Sequence, residues 1–145
     1  MRRRWTALFC LLSLAVAGGC GSPRSGVGTV DSSVRRDLLT GVARIRATHD
    51  REKLHVELTR VLAALRHDHE STPSSRRARE LAIQGFEATL KGVEALLDFS
   101  ENDSGEVAAA TRDAMRADRF LRRGADRLRA AGRALELRIG TLNGF

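Results

Sequence analysis

All four histidines of the 145-residue chain lie between positions 49 and 69. Glu52-Lys53-Leu54-His55 is a Glu-x-x-His, the spacing with which helices of a bundle bring a carboxylate and an imidazole to one di-metal centre. Such a centre needs a second pair on a facing helix, and no histidine follows His69. A di-metal site is therefore excluded. His67-Asp68-His69-Glu70 offers imidazole and carboxylate ligands in a row. An i, i+2 spacing splays the two rings if the helix continues. The segment is better read as a solvated helix end, where an imidazolium is favoured by the negative end of the helix dipole. Metal handling through His67 and His69 is the alternative.

Arg112, Arg116, Arg119, Arg123 and Arg127 are spaced 4, 3, 4 and 4 residues apart, which places them on one face of a helix. Guanidinium groups in that arrangement suit an anionic lipid surface or an anionic envelope polymer. Near an anionic leaflet each adds about 1 kcal/mol. The plain counter-reading is a solvated face neutralised by neighbours such as Asp113 and Asp126, placed opposite the core stripe. Ser100-Glu101-Asn102-Asp103-Ser104-Gly105 fails as a calcium loop, having Ser at its first position and Thr111 at its twelfth. Catalysis lacks raw material: there is no Gly-rich phosphate loop and no metal triad, and no serine can be matched to a base from sequence. The chain reads as a non-enzyme without a cofactor.

The first twenty residues, MRRRWTALFCLLSLAVAGGC, carry chemistry of another kind. Arg2, Arg3 and Arg4 form a basic start, followed by an apolar stretch over residues 6–17. This is the pattern of a secretory signal. As a helix the stretch rises roughly 18 Å, short of a hydrocarbon core of about 30 Å. Ala17-Gly18-Gly19-Cys20 resembles the lipobox of bacterial lipoproteins, usually Leu-Ala-Gly-Cys. In that family the cysteine thiol receives a diacylglycerol, cleavage falls just before it, and the new amine is usually acylated too. Ala17 stands where Leu or Val is commoner. Cys10 is a poor rival, because Leu8 and Phe9 precede it. The resemblance covers residues 1–20 and implies Cys20 as the lipid attachment site. A cut after Ala17 would instead release a soluble helical factor.

Loss of residues 1–19 leaves 22 basic against 18 acidic residues, or +4. The chain has 23 arginines and only two lysines, a bias that a GC-rich genome also produces. There is no tyrosine, Trp5 departs with the signal, and four phenylalanines remain. Nucleic-acid binding by base stacking has almost nothing to work with. No thiol besides Cys20 remains for a disulfide, so the domain must be held by its core.

Three segments follow: a signal over residues 1–19, the lipidated Cys20 and a Gly/Ser-rich tether over 20–30, and a domain over 31–145. Val34, Leu38, Val42 and Ile45 mark one helical stripe, and Leu54, Leu58, Val61, Leu62 and Leu65 another that points nearly opposite. A break near His49–Asp50 is expected, with Asp50 as cap. Pro73 punctuates the chain before a helix over 75–99, with Ala82, Phe86, Leu90, Val93 and Leu97 inward. Asp103 and Glu106 resemble a capping box. A last helix over 104–138 carries Val107, Ala110, Ala114, Leu121, Ala125, Leu128 and Leu135 inward, and Gly140 stops it. The fold class is all-α, an antiparallel three- or four-helix bundle. The expected protein is a lipid-anchored lipoprotein on the extracytoplasmic face of the cell membrane, a binding or structural module with an unknown protein partner.

Overall fold

The structure, a computed structural model, describes residues 27–69, 72–101 and 107–142. Four helices follow in order: α1 (Val27–Ala47), α2 (Arg51–His67), α3 (Pro73–Glu101) and α4 (Val107–Ala134). Among the described residues there is no strand. The chain is an all-α, up-down-up-down four-helix bundle, as short connections between amphipathic helices require.

The expected break is a full reversal. Helix α1 ends at Ala47 and α2 starts at Arg51. Asp50 caps α2 by accepting the Lys53 N–H on Oδ1 at 2.9 Å, which satisfies one of the free donors of the first turn. Because the two stripes point opposite ways along a straight path, only a hairpin turns both toward one core. All nine residues of the two stripes are buried. Arg44 and Glu57 approach to 3.6 Å across the hairpin. A Cβ added at Gly41 would strike the Phe86 ring and stand 3.0 Å from Val61 Cγ1, so the lack of a side chain lets Phe86 reach between α1 and α2. Helix α1 begins at Val27, so four residues assigned to the tether (27–30) are helical.

The punctuation before α3 is a reciprocal cap. The Ser75 N–H donates to Thr72 Oγ1 at 3.1 Å, and the Thr72 N–H donates to Ser75 Oγ at 3.4 Å. This is a capping box with Ser75, fully buried, at the usual place of Glu, and Pro73 at the first helical position. Arg79 then reaches back to α2, donating to the carbonyls of Leu65 at 2.6 Å and Arg66 at 3.0 Å.

Helix α3 pairs with α4 through small residues. Cβ atoms built at Gly85 and Gly92 would collide with Leu128 and Leu121, and one at Gly124 with Thr89 and the Gly85 carbonyl. The expected inward set of α4 needs correction. Its buried residues are Ala117, Gly124, Leu128, Ala131 and Gly132. Leu121, Ala125 and Ala110 are half-buried, while Ala114 is exposed and Val107 is 79 % exposed. The cause is length. Arg51, the first residue of α2, donates to Leu96 O, and Gly92 faces Leu121 with Ala117 O beside it. Val107 therefore lies about 15 Å beyond Ala117 along the axis, past the turn that joins α1 to α2.

The end of α4 also departs from expectation. The helix stops at Ala134, not near Arg138, and Gly140 does not stop it. Leu137 N–H donates to Gly132 O at 2.8 Å and Glu136 N–H to Arg133 O at 3.1 Å. These are the two bonds of a Schellman motif, with Glu136 at φ 57° where glycine is usual. Leu135 thus lies in the turn, and residues 137–142 fold back onto the core through Leu137, Ile139 and Leu142. Among the described residues, every core residue lies from Val34 onward.

Candidate functional site

The five arginines of the row all lie on α4 and all are exposed. Arg112 and Arg119 lie about 140° and 160° around the helix from Ala117, near the expected opposite placement, while the other three lie closer to the buried stripe. Arg116, Arg123 and Arg127 each precede a buried residue (Ala117, Gly124, Leu128) by one position, about 100° around the helix. Between row and core sits Phe120, half-buried. The Arg116 guanidinium carbon stands 5.8 Å from its ring centroid, within cation–π range.

Asp126 lines a depression with Arg119, Arg123 and Arg127, but no ion pair joins the row to an aspartate among the described residues. Asp126 is bound by Arg129 at 2.6 Å and Asp118 by Arg122 at 2.9 Å. Asp113 makes no ion pair among the described residues, and neither does any of the five arginines. Arg112 donates only to the Ala108 carbonyl of its own helix, at 3.3 Å. Guanidiniums on such a face keep most of their donors for phosphate or carboxylate oxygens.

Two open depressions run beside Phe120. One is lined by Arg112, Met115, Arg116 and Arg119. The other is closed by Gln84, Glu87, Ala88 and Lys91 of α3, facing Arg123 and Arg127. Glu87 is held by Arg66 at 2.8 Å and is not a partner of the row. Met115, 60 % exposed in the midst of the cations, went unnoticed in the sequence. Its signal was position: three residues after Arg112 and one before Arg116.

The histidines do not converge. His55 contacts Glu94 of α3 at 3.2 Å on the surface rather than forming a centre with Glu52. His67 and His69 are exposed at the end of α2, and Glu70 lies outside the described residues. Among the described residues, no three His, Cys, Asp or Glu side chains are grouped to hold a metal ion. Cys20, the expected lipid site, and the signal and tether over residues 1–26 also lie outside the described residues. So do Asn102, Asp103 and Glu106 of the expected turn and capping box. Among the described residues no helix is long and apolar enough to cross a membrane.

Comparison with protein-family models, with curated proteins and with solved structures gives no match.

Proposed function

We propose that this chain is an exported lipoprotein, held at the extracytoplasmic face of the cell membrane by lipid on Cys20, with the bundle as a binding or structural module of the envelope. The observation that carries the reading is the opening stretch: three arginines, a short apolar run and Ala17-Gly18-Gly19-Cys20. One acyl chain binds a bilayer only marginally, whereas two or more hold stably, so a diacylglyceryl cysteine is a sufficient anchor. The architecture accords with it. Among the described residues the core begins at Val34, seven residues into α1. Seven residue steps separate Cys20 from the start of α1, a reach of at most about 25 Å. Confinement at that distance raises the effective concentration of the bundle toward membrane-bound partners. Its role is to bind and tether, with no catalytic step.

The reading is tested by fatty-acid labelling and cell fractionation in a producing bacterium. Wild type should incorporate labelled fatty acid and partition into detergent. Cys20→Ser should lose the label and either remain unprocessed or become soluble. A wild-type protein recovered unlabelled in the soluble fraction, beginning at Gly18, contradicts the anchor.

A further inference from the structure

Positive charge in this protein is gathered on one helix. Helix α4 has eight arginines against three aspartates, a net +5, whereas the chain from Cys20 onward carries +4 in all. Everything after residue 19 except α4 therefore sums to −1. Two of the three aspartates are already bound by Arg122 and Arg129, which leaves the row of five without an ion pair among the described residues. Apolar groups share its surface. Met115 is 60 % exposed among Arg112, Arg116 and Arg119, and the Phe120 ring lies under Arg116. A soluble polyanion needs the arginines alone and gives no reason for Met115 to face water beside them. A bilayer accounts for both: guanidiniums meet phosphates while apolar side chains enter the boundary between headgroups and acyl chains.

The ends of the bundle fit the same arrangement. Ser32 and Arg35, near the start of α1, line one depression together with Ala134, Leu135 and Glu136 at the close of α4. Helix α1 thus starts at the end of the bundle where α4 finishes, about 10 Å along the axis from Arg127. Helix α4 leans mainly on α3, and among the described residues no other helix covers its outward side.

We propose that the outward face of α4, with Arg112, Met115, Arg116, Arg119, Arg123 and Arg127, docks the bundle on its side against an anionic phospholipid surface. The proposal rests on the lipid-anchor reading, which brings the face within reach of a bilayer. The anchor supplies proximity and the arginines supply orientation.

The test uses the chain from Gly21 onward, which keeps every core residue among the described residues and has no Cys20 to carry lipid. Binding is measured by co-sedimentation with vesicles of mixed phosphatidylglycerol and phosphatidylcholine, and with vesicles of phosphatidylcholine alone. Binding should require the anionic lipid and vanish at about 1 M salt, where the screening length is about 3 Å. Each arginine near the surface is worth about 1 kcal/mol, or about fivefold. Arg116→Glu, Arg119→Glu and Arg123→Glu together should thus weaken binding about a hundredfold. The same charge change at Arg35, Arg76 and Arg77, exposed on α1 and α3, should cost far less. Arg119→Glu alone gives the fivefold comparison should the triple variant lose its helical circular dichroism. Met115→Gln should weaken vesicle binding and leave binding to soluble polyphosphate unchanged.

Equal binding to neutral and anionic vesicles overturns the proposal, as does an equal loss from the two triple variants. Binding to polyphosphate without binding to anionic vesicles also overturns it, in favour of an anionic polymer. None of these outcomes depends on acylation of Cys20, which the mass of the mature protein decides separately.

Discussion

Gly124 of α4 rests directly on Thr89 of α3. A Cβ at position 124 would collide with Thr89 Oγ1, and would stand 2.9 Å from the Gly85 carbonyl oxygen and 3.0 Å from the Thr89 nitrogen. Two of those three neighbours are backbone and cannot turn away. Thr89 Oγ1 is itself held, donating to Gly85 O at 2.9 Å. The two longest helices of the bundle are thus in contact backbone to backbone at this level.

Gly124→Ala should therefore destabilise the fold by about 1–3 kcal/mol through overpacking. That outweighs the gain of about 1 kcal/mol in helix propensity from replacing glycine by alanine. Gly92→Ala should cost less, since the atoms it meets first belong to the Leu121 side chain, which can rotate. Urea midpoints at constant slope measure both. A midpoint for Gly124→Ala at or above wild type contradicts the close contact.

Asp50→Ala should cost about 0.5–2 kcal/mol, the usual worth of an N-cap. Asp50→Asn, which keeps an acceptor for the Lys53 N–H, should recover most of the loss. If the two variants lose equally, the cap is not what fixes the turn between α1 and α2.

Glu136 holds φ 57° in the Schellman turn, a conformation costing a non-glycine residue about 1–2 kcal/mol. Glu136→Gly removes that strain but adds freedom to the unfolded chain. A net gain of about 0.5–1 kcal/mol is expected, read as a higher thermal midpoint. A lower midpoint would mean that the Glu136 side chain makes a contact worth more than the strain.

The first two helices were legible because their buried residues are large. Val34, Leu38, Val42 and Ile45, then Leu54, Leu58, Val61, Leu62 and Leu65, repeat at helical spacing, and every one is in the core. The break at Asp50 was legible too, as two opposed stripes joined by a capping residue. Helix α4 was misread for physical reasons. Apart from Leu128, its buried residues are Ala117, Gly124, Ala131 and Gly132, which carry weak hydropathy signals or read as helix breakers. Val107 and Ala114 looked like core positions because nothing in the local pattern tells how far a helix runs past its neighbours. The Schellman stop was hidden because Glu136 stands where glycine would have announced it. Of the candidate surface, the arginine row was plain from its spacing. The position of Arg116, Arg123 and Arg127 closer to the core stripe, and the exposed Met115 within the row, depended on which face the glycines turn toward α3.

The anchor at Cys20 is the central claim, and the intact mass of the mature protein, purified from detergent extracts of a producing bacterium, tests it most directly. A chain that begins at Cys20 and carries the added mass of a diacylglycerol, with a further acyl group where the amine is modified, is expected. An unmodified chain that begins at Gly18, or one that still carries residues 1–19, would contradict it.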